Sequence, residues 1–160
     1  MASEDVFNGA KTAMMFLDAY VNTVGQEIGM ERALGLFTKT CENMGAPRGK
    51  MMKEQSGMKQ FDARAAWSLL KSLKDSFGFS CEVLEQGPTR VVVRNNTCPF
   101  YEAAQTLGID AKAIEASFCR GGPIRTANAA VKQLNANLSV QVRKFRSAIN
   151  DFCEEEIIIS

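Results

Sequence analysis

Apolar positions along the chain keep two different periods. From 6 to 28 they fall at Val6, Ala10, Met14, Leu17, Val21, Val24 and Ile28. Steps of three or four at about 100° per residue place them on one helical stripe. A second helix is expected over 30–44, with Ala33, Leu34, Phe37 and Cys41 on one face and Gly45 and Pro47 as stop signals. The polar, basic stretch 48–60 reads as a mobile connection or a loose helix. A third helix starts at Asp62 as N-cap, gathers Ala66, Leu69, Leu70, Leu73 and Phe77 on one side, and closes at Gly78.

The period then shortens to two. Segments 79–85 and 89–95 flank Gly87-Pro88 as a hairpin, and the row Val91-Val92-Val93 suggests a strand covered on both faces. Pro99 opens a short helix with Cys98 at its N-cap and Gly108 beyond it, and Asp110 caps another over 111–118. A further helix runs from Pro123 to about Leu134, followed by strands over 138–146 and 152–159. Short links between strands favour antiparallel pairing. The expected fold is α+β, a four-stranded antiparallel sheet packed with helices behind an N-terminal helical half. One domain is expected over 1–160, with 1–78 as helical scaffold and 79–160 carrying the polar chemistry.

Composition narrows the function. With 160 residues the chain can bury a core without disulfides. A net charge of +1 gives no electrostatic case for nucleic-acid binding. No apolar run reaches the ~18–20 residues of a membrane span, and the start Met-Ala-Ser-Glu-Asp carries acid where a signal peptide needs base. A cytoplasmic protein is expected. The chain has no histidine, which excludes Ser-His-Asp and Cys-His nucleophile systems and every His-ligated metal. Chemistry must run on cysteine, carboxylates, Lys, Arg, Tyr and backbone groups.

Five cysteines in a reducing compartment should be thiols, metal ligands or catalytic groups. Cys41 and Cys81 sit on periodic apolar positions and read as core. Cys98, Cys119 and Cys153 each fall at an element boundary. If the last strand lies antiparallel beside the Val91–Val93 strand, Cys98 and Cys153 meet at one edge, and Cys119 can return there. Three thiols so placed would hold zinc, iron or a small iron–sulfur cluster, with water, substrate or Glu102 in the fourth position. Core burial and reversible disulfide chemistry are the competing readings. As a nucleophile Cys98 leads, because a helix N-terminus favours thiolate.

The run Asn96-Thr97-Cys98-Pro99-Phe100-Tyr101-Glu102-Ala103, then Leu107-Gly108, Cys119 and a terminal Cys153 before a strand, resembles the L-2-amino-thiazoline-4-carboxylic acid hydrolase-like family. Its order is also similar to the 4-vinyl-reductase type of small-molecule-binding domain, whose terminal cysteines are linked with metal. The resemblance implies a hydrolase opening a C–N or C–S bond in a small cyclic amidine-like acid. Cys98 and Glu102 would then be its catalytic groups, and an arginine would anchor the substrate carboxylate.

Candidate anion contacts are Arg94 on its strand and Arg120-Gly121-Gly122 with Arg125, where free N–H groups open a helix. A plain helix connection is the competing reading of the glycine pair. The leading function is a small-molecule-binding domain with a three-cysteine metal or thiolate site; the alternative is the hydrolase, and a dimeric scaffold is third. Expected partners are a small acidic molecule and a second copy of the chain. The homodimer would use the first helix, whose Phe16 and Tyr20 form a second apolar patch.

Overall fold

Helices occupy most of the chain as far as Asp75 in the computed structural model, which describes residues 4–160. The opening Met1-Ala2-Ser3, read above for targeting, lies outside the described residues. Helix α1 spans Glu4–Ile28, α2 Met30–Ser56 and α3 Ala63–Asp75. Strands β1 (Ser80–Gln86) and β2 (Arg90–Thr97) follow as a hairpin. Next come α4 (Pro99–Thr106), a single turn α5 (Ala111–Ala113) that widens into a π-helical stretch over Ile114–Cys119, and α6 (Pro123–Leu134). Strands β3 (Leu138–Lys144) and β4 (Cys153–Ile159) close the sheet, which is antiparallel throughout in the order β1-β2-β4-β3. The architecture is the expected α+β.

Four of the expected helix signals act as local chemistry requires: Asp62, Gly78, Cys98 and Asp110. Asp62 Oδ1 accepts the Ala65 N–H at 2.9 Å and starts α3. Gly78 follows that helix with φ +79, and a Cβ there would press on the backbone of Phe7 in α1. Cys98 caps α4 and Asp110 caps α5.

The expected stop at Gly45 and Pro47 is corrected: α2 continues unbroken to Ser56, and Gly57, in the left-handed region at φ +64, ends it. Glycine costs about 1 kcal/mol and proline about 3 in a helix interior. Here tertiary packing outweighs both. Gly45 and Gly49, one turn apart, let α2 lie against α6 so closely that a Cβ at either would collide with the carbonyl of Thr126 or Ala130.

The main core packs α3 and α6 onto one sheet face, through Trp67 and Leu70, Val131 and Leu134, and the inward residues Val91, Val93, Val140 and Ile157. A second cluster joins Val21 of α1, Phe37 of α2 and Phe118 of the π-helical stretch. The opposite sheet face carries ion pairs, Arg94–Glu154 at 3.1 Å and Arg90–Glu156 at 2.9 Å. On the outer side of α1, Phe16 and Tyr20 are 78% and 60% exposed. Among the described residues, no helix is long and apolar enough to cross a membrane.

Candidate functional site

Between the helical layers and the inner sheet face lies a cavity of ≈ 360 Å³. Its wall is mostly apolar, drawn from Met14 and Leu17 of α1, Phe37 of α2, Leu70 of α3, Phe118 of the π-helical stretch and Ile157 of β4.

Sheet alternation delivers the polar groups. Cys153, Glu155 and Ile157 share the inward side of β4, and β2 places Asn95 opposite Cys153. Lys74, in the last turn of α3, meets Glu155 at 2.8 Å and donates to Asn95 Oδ1 at 3.2 Å. The Cys81 thiol also donates to Asn95 Oδ1, at 3.2 Å. Asn95 Nδ2 is buried without a partner among the described residues. Burial is the largest single influence on Lys74 and lowers its pKa, yet the charge and hydrogen bond of Glu155 together with the neighbouring Cys81 and Cys98 outweigh it, and the ammonium is held above its ordinary value.

Arg146, which the sequence reading did not single out, is fully buried. It donates from Nη2 to the carbonyls of Asn95 and Asn96 at 2.7 and 3.2 Å, and from Nη1 to that of Ile149 at 3.3 Å. Its guanidinium lies over the Tyr101 ring, 5.4 Å from the centroid. It ties the end of β2 to the β3–β4 connection, just behind the thiols.

Cys98, Cys119 and Cys153 all line the cavity, as does Cys41. The metal expectation is nevertheless corrected. Among the described residues no three Cys, Asp or Glu side chains form a group able to hold an ion, so the zinc, iron or iron–sulfur centre and the three-cysteine site built on it are withdrawn. The physical reason is local commitment. Cys98 Sγ accepts the Tyr101 N–H at 3.4 Å as an N-cap, and Cys153 Sγ accepts the Arg146 N–H at 3.4 Å. Cys119 stands on the π-helical stretch instead.

The thiolate argument for Cys98 is also reversed in sign. Burial pushes its thiol up to about 11, more than the Tyr101 N–H pulls it back. Burial pushes Cys119 well up too.

The remaining predicted residues lie elsewhere. Glu102 pairs with Lys11 at 3.4 Å and is not part of the cavity wall. Arg94 is on the outer sheet face, paired with Glu154. Arg120 pairs with Glu115, and Arg125 with Glu42 at 3.6 Å. Together with Gly121 these two arginines line a separate, shallower depression beside Gly35 and Thr38. Gly122 serves packing, since a Cβ there would strike the Phe37 ring and the Phe118 carbonyl.

Sequence reasoning missed Asp18. It is 1% exposed and lines the cavity from the middle of α1. Its Oδ1 is buried with no hydrogen bond, and burial raises its pKa to about 7. The signal was available: an acid four residues after Met14 and three before Val21 stands beside the apolar stripe.

A family model described as L-2-amino-thiazoline-4-carboxylic acid hydrolase matches residues 9–151. No curated protein sequence matches the chain significantly. Two solved structures share the fold. One is the phenol-responsive sensory domain of the transcription activator PoxR with phenol, at TM-score 0.65 and 14% identity, covering 91% of this chain and 74% of that one. The other is a trafficking protein particle complex subunit 3 from Naegleria fowleri covalently bound to palmitic acid, at TM-score 0.60 and 13% identity, covering 95% of both chains.

Proposed function

Because the chain belongs to the L-2-amino-thiazoline-4-carboxylic acid hydrolase family, we propose that it hydrolyses a small cyclic amidine-like acid held in the cavity between helices and sheet. The family match over residues 9–151 carries the reading. The volume of ≈ 360 Å³ suits a small ring compound, and small-molecule sites are concave, mostly apolar and dressed with a few polar groups. The ligands in the two fold neighbours, phenol and palmitic acid, support a site inside this fold.

In the reaction water forms a C–O bond to the amidine carbon, the ring C–S or C–N bond breaks, and the proton taken from water passes to the departing sulfur or nitrogen, which stays tethered in the ring-opened product. This needs a base for the water proton and a contact for the substrate carboxylate. The Lys74–Glu155 pair, 2.8 Å apart on one wall, supplies both kinds of group. Lys74 has N–H donors for a substrate carboxylate, and Glu155 can take the proton of a water beside it. Cys98, kept as a neutral thiol by burial, borders the substrate without being a strong nucleophile.

The test is thiol release from 2-amino-thiazoline-4-carboxylate by purified protein. Steady release, lowered at least 100-fold in Glu155→Gln at unchanged circular dichroism, is expected. Absence of release across pH 6–9 refutes the reading.

A further inference from the structure

Asp18 takes no part in the scheme above, and nothing in the fold accounts for it. It sits in mid-α1, where the backbone N–H groups are already used by the helix, so it cannot serve as a cap. No donor reaches its carboxyl among the described residues, although Oδ1 is buried. No countercharge among the described residues acts on it either. The cavity's Lys74 belongs to Glu155, and Arg48, the other cation bordering the cavity, is exposed to solvent. A buried carboxyl without a hydrogen bond destabilises the fold, and more so when charged. A fold does not keep such a group for stability.

We propose that Asp18 is a recognition residue for a cationic nitrogen head, an amidinium or a primary ammonium, on a small apolar body bound in the cavity. The inference rests on the cavity being the substrate site, but not on hydrolysis there. A carboxylate offers two acceptor oxygens side by side, and an amidinium presents two parallel N–H donors that match them. The same contact supplies the missing countercharge and the missing hydrogen bonds. The apolar remainder of the wall, Met14, Leu17, Phe37 and Phe118 among it, takes the body of the ligand. A neutral amide of the same shape satisfies only one acceptor without cancelling the charge, and a ligand carboxylate adds a second anion beside the first.

Three compounds of one size separate these cases: benzamidine, benzamide and benzoate, titrated calorimetrically into the intact protein at pH 8, with thermal shift alongside. Benzamidine is expected to bind at least 10-fold more tightly than benzamide and to raise Tm, with benzoate weakest. Asp18→Asn is expected to weaken benzamidine at least 10-fold and to leave benzamide unchanged. Benzamide binding as well as benzamidine to the wild type, or no benzamidine binding at all, overturns the proposal even if the variant does not fold. So does a folded Asp18→Asn protein that binds benzamidine normally. Benzamidine is read by binding and not by turnover. Benzamidine binding without thiazoline hydrolysis therefore sinks the hydrolase reading alone, and hydrolysis without benzamidine binding sinks this one alone.

Discussion

Stability should fall as pH rises from 5 to 8, and Asp18 should be the cause. In the fold its carboxyl titrates near 7, against an ordinary 3.8. The raised value means the folded chain holds a proton that the unfolded chain has already lost between those two pH values. The linkage slope is then negative: stability is full below about pH 4 and drains away as pH climbs to 7. At 1.36 kcal/mol per unit the whole shift has a ceiling of about 4 kcal/mol, and the part lying between pH 5 and 8 is about 2.7 kcal/mol. Water entering the cavity screens the charge, so a measured loss of about 1–1.5 kcal/mol is expected.

The window is clean for a compositional reason. The chain has no histidine. Asp62 and Asp151 are held below the usual carboxylate range, Asp62 chiefly by the Ala65 N–H and Asp151 chiefly by Lys144. What they contribute is present above their unfolded pKa and is lost only under acid conditions. Burial raises the thiols of Cys41, Cys81, Cys98 and Cys119, which keeps their titration above the window. Urea unfolding at pH 5, 6, 7 and 8, by fluorescence of Trp67, measures the slope in the wild type and in Asp18→Asn. The variant should be nearly flat. A wild type whose stability is level or rising across the window, or a variant that keeps the slope, refutes the reasoning.

Other outcomes follow from packing and charge. Gly49→Ala drives a Cβ into the Ala130 backbone and should cost about 3 kcal/mol in urea unfolding, whereas Gly35→Ala, with nothing within 4 Å, should gain up to about 1 kcal/mol. Lys74→Met strands Glu155, whose side chain is 13% exposed, and should cost roughly 3 kcal/mol, with Lys74→Met/Glu155→Gln recovering part of it. Alkylation of Cys98 by iodoacetamide at pH 8, followed by peptide mass spectrometry, should run on the order of 100-fold slower than that of a free thiol. A shift from 9.0 to about 11 cuts the thiolate fraction by that factor.

Local signals were legible where the deciding atoms are close in sequence. Asp62, Cys98 and Asp110 cap the helices they precede, and the alternation that sends Glu155 inward with Cys153, and Glu154 and Glu156 outward, follows from the pleat alone. The continuation of α2 past Gly45 and Pro47 was not legible, because α6, about 80 residues on, decides it. Boundary placement of the thiols led to the expectation of one metal-holding cluster, which was wrong: Cys98 and Cys153 are committed to the N–H groups of Tyr101 and Arg146, which spacing does not reveal. The arginines proposed as anion contacts are paired with Glu154, Glu115 and Glu42, residues not adjacent to them in sequence. Asp18 escaped notice because apolar periodicity passes over a polar residue that stands beside its stripe.

The strand order β1-β2-β4-β3 has a consequence for assembly in time. β4, the last strand made, is an interior strand, hydrogen-bonded to β2 on one side and β3 on the other. Until residues 153–159 have left the ribosome, the β1–β2 hairpin and β3 have no common partner, and each shows an open edge of the kind that invites pairing between chains. Glu155 and Ile157 arrive on that same strand, so the inner wall of the cavity is completed only when the sheet is. The cavity is therefore walled in only once β4 has joined the sheet, and a ligand of that cavity can hold the folded state without guiding the nascent chain towards it.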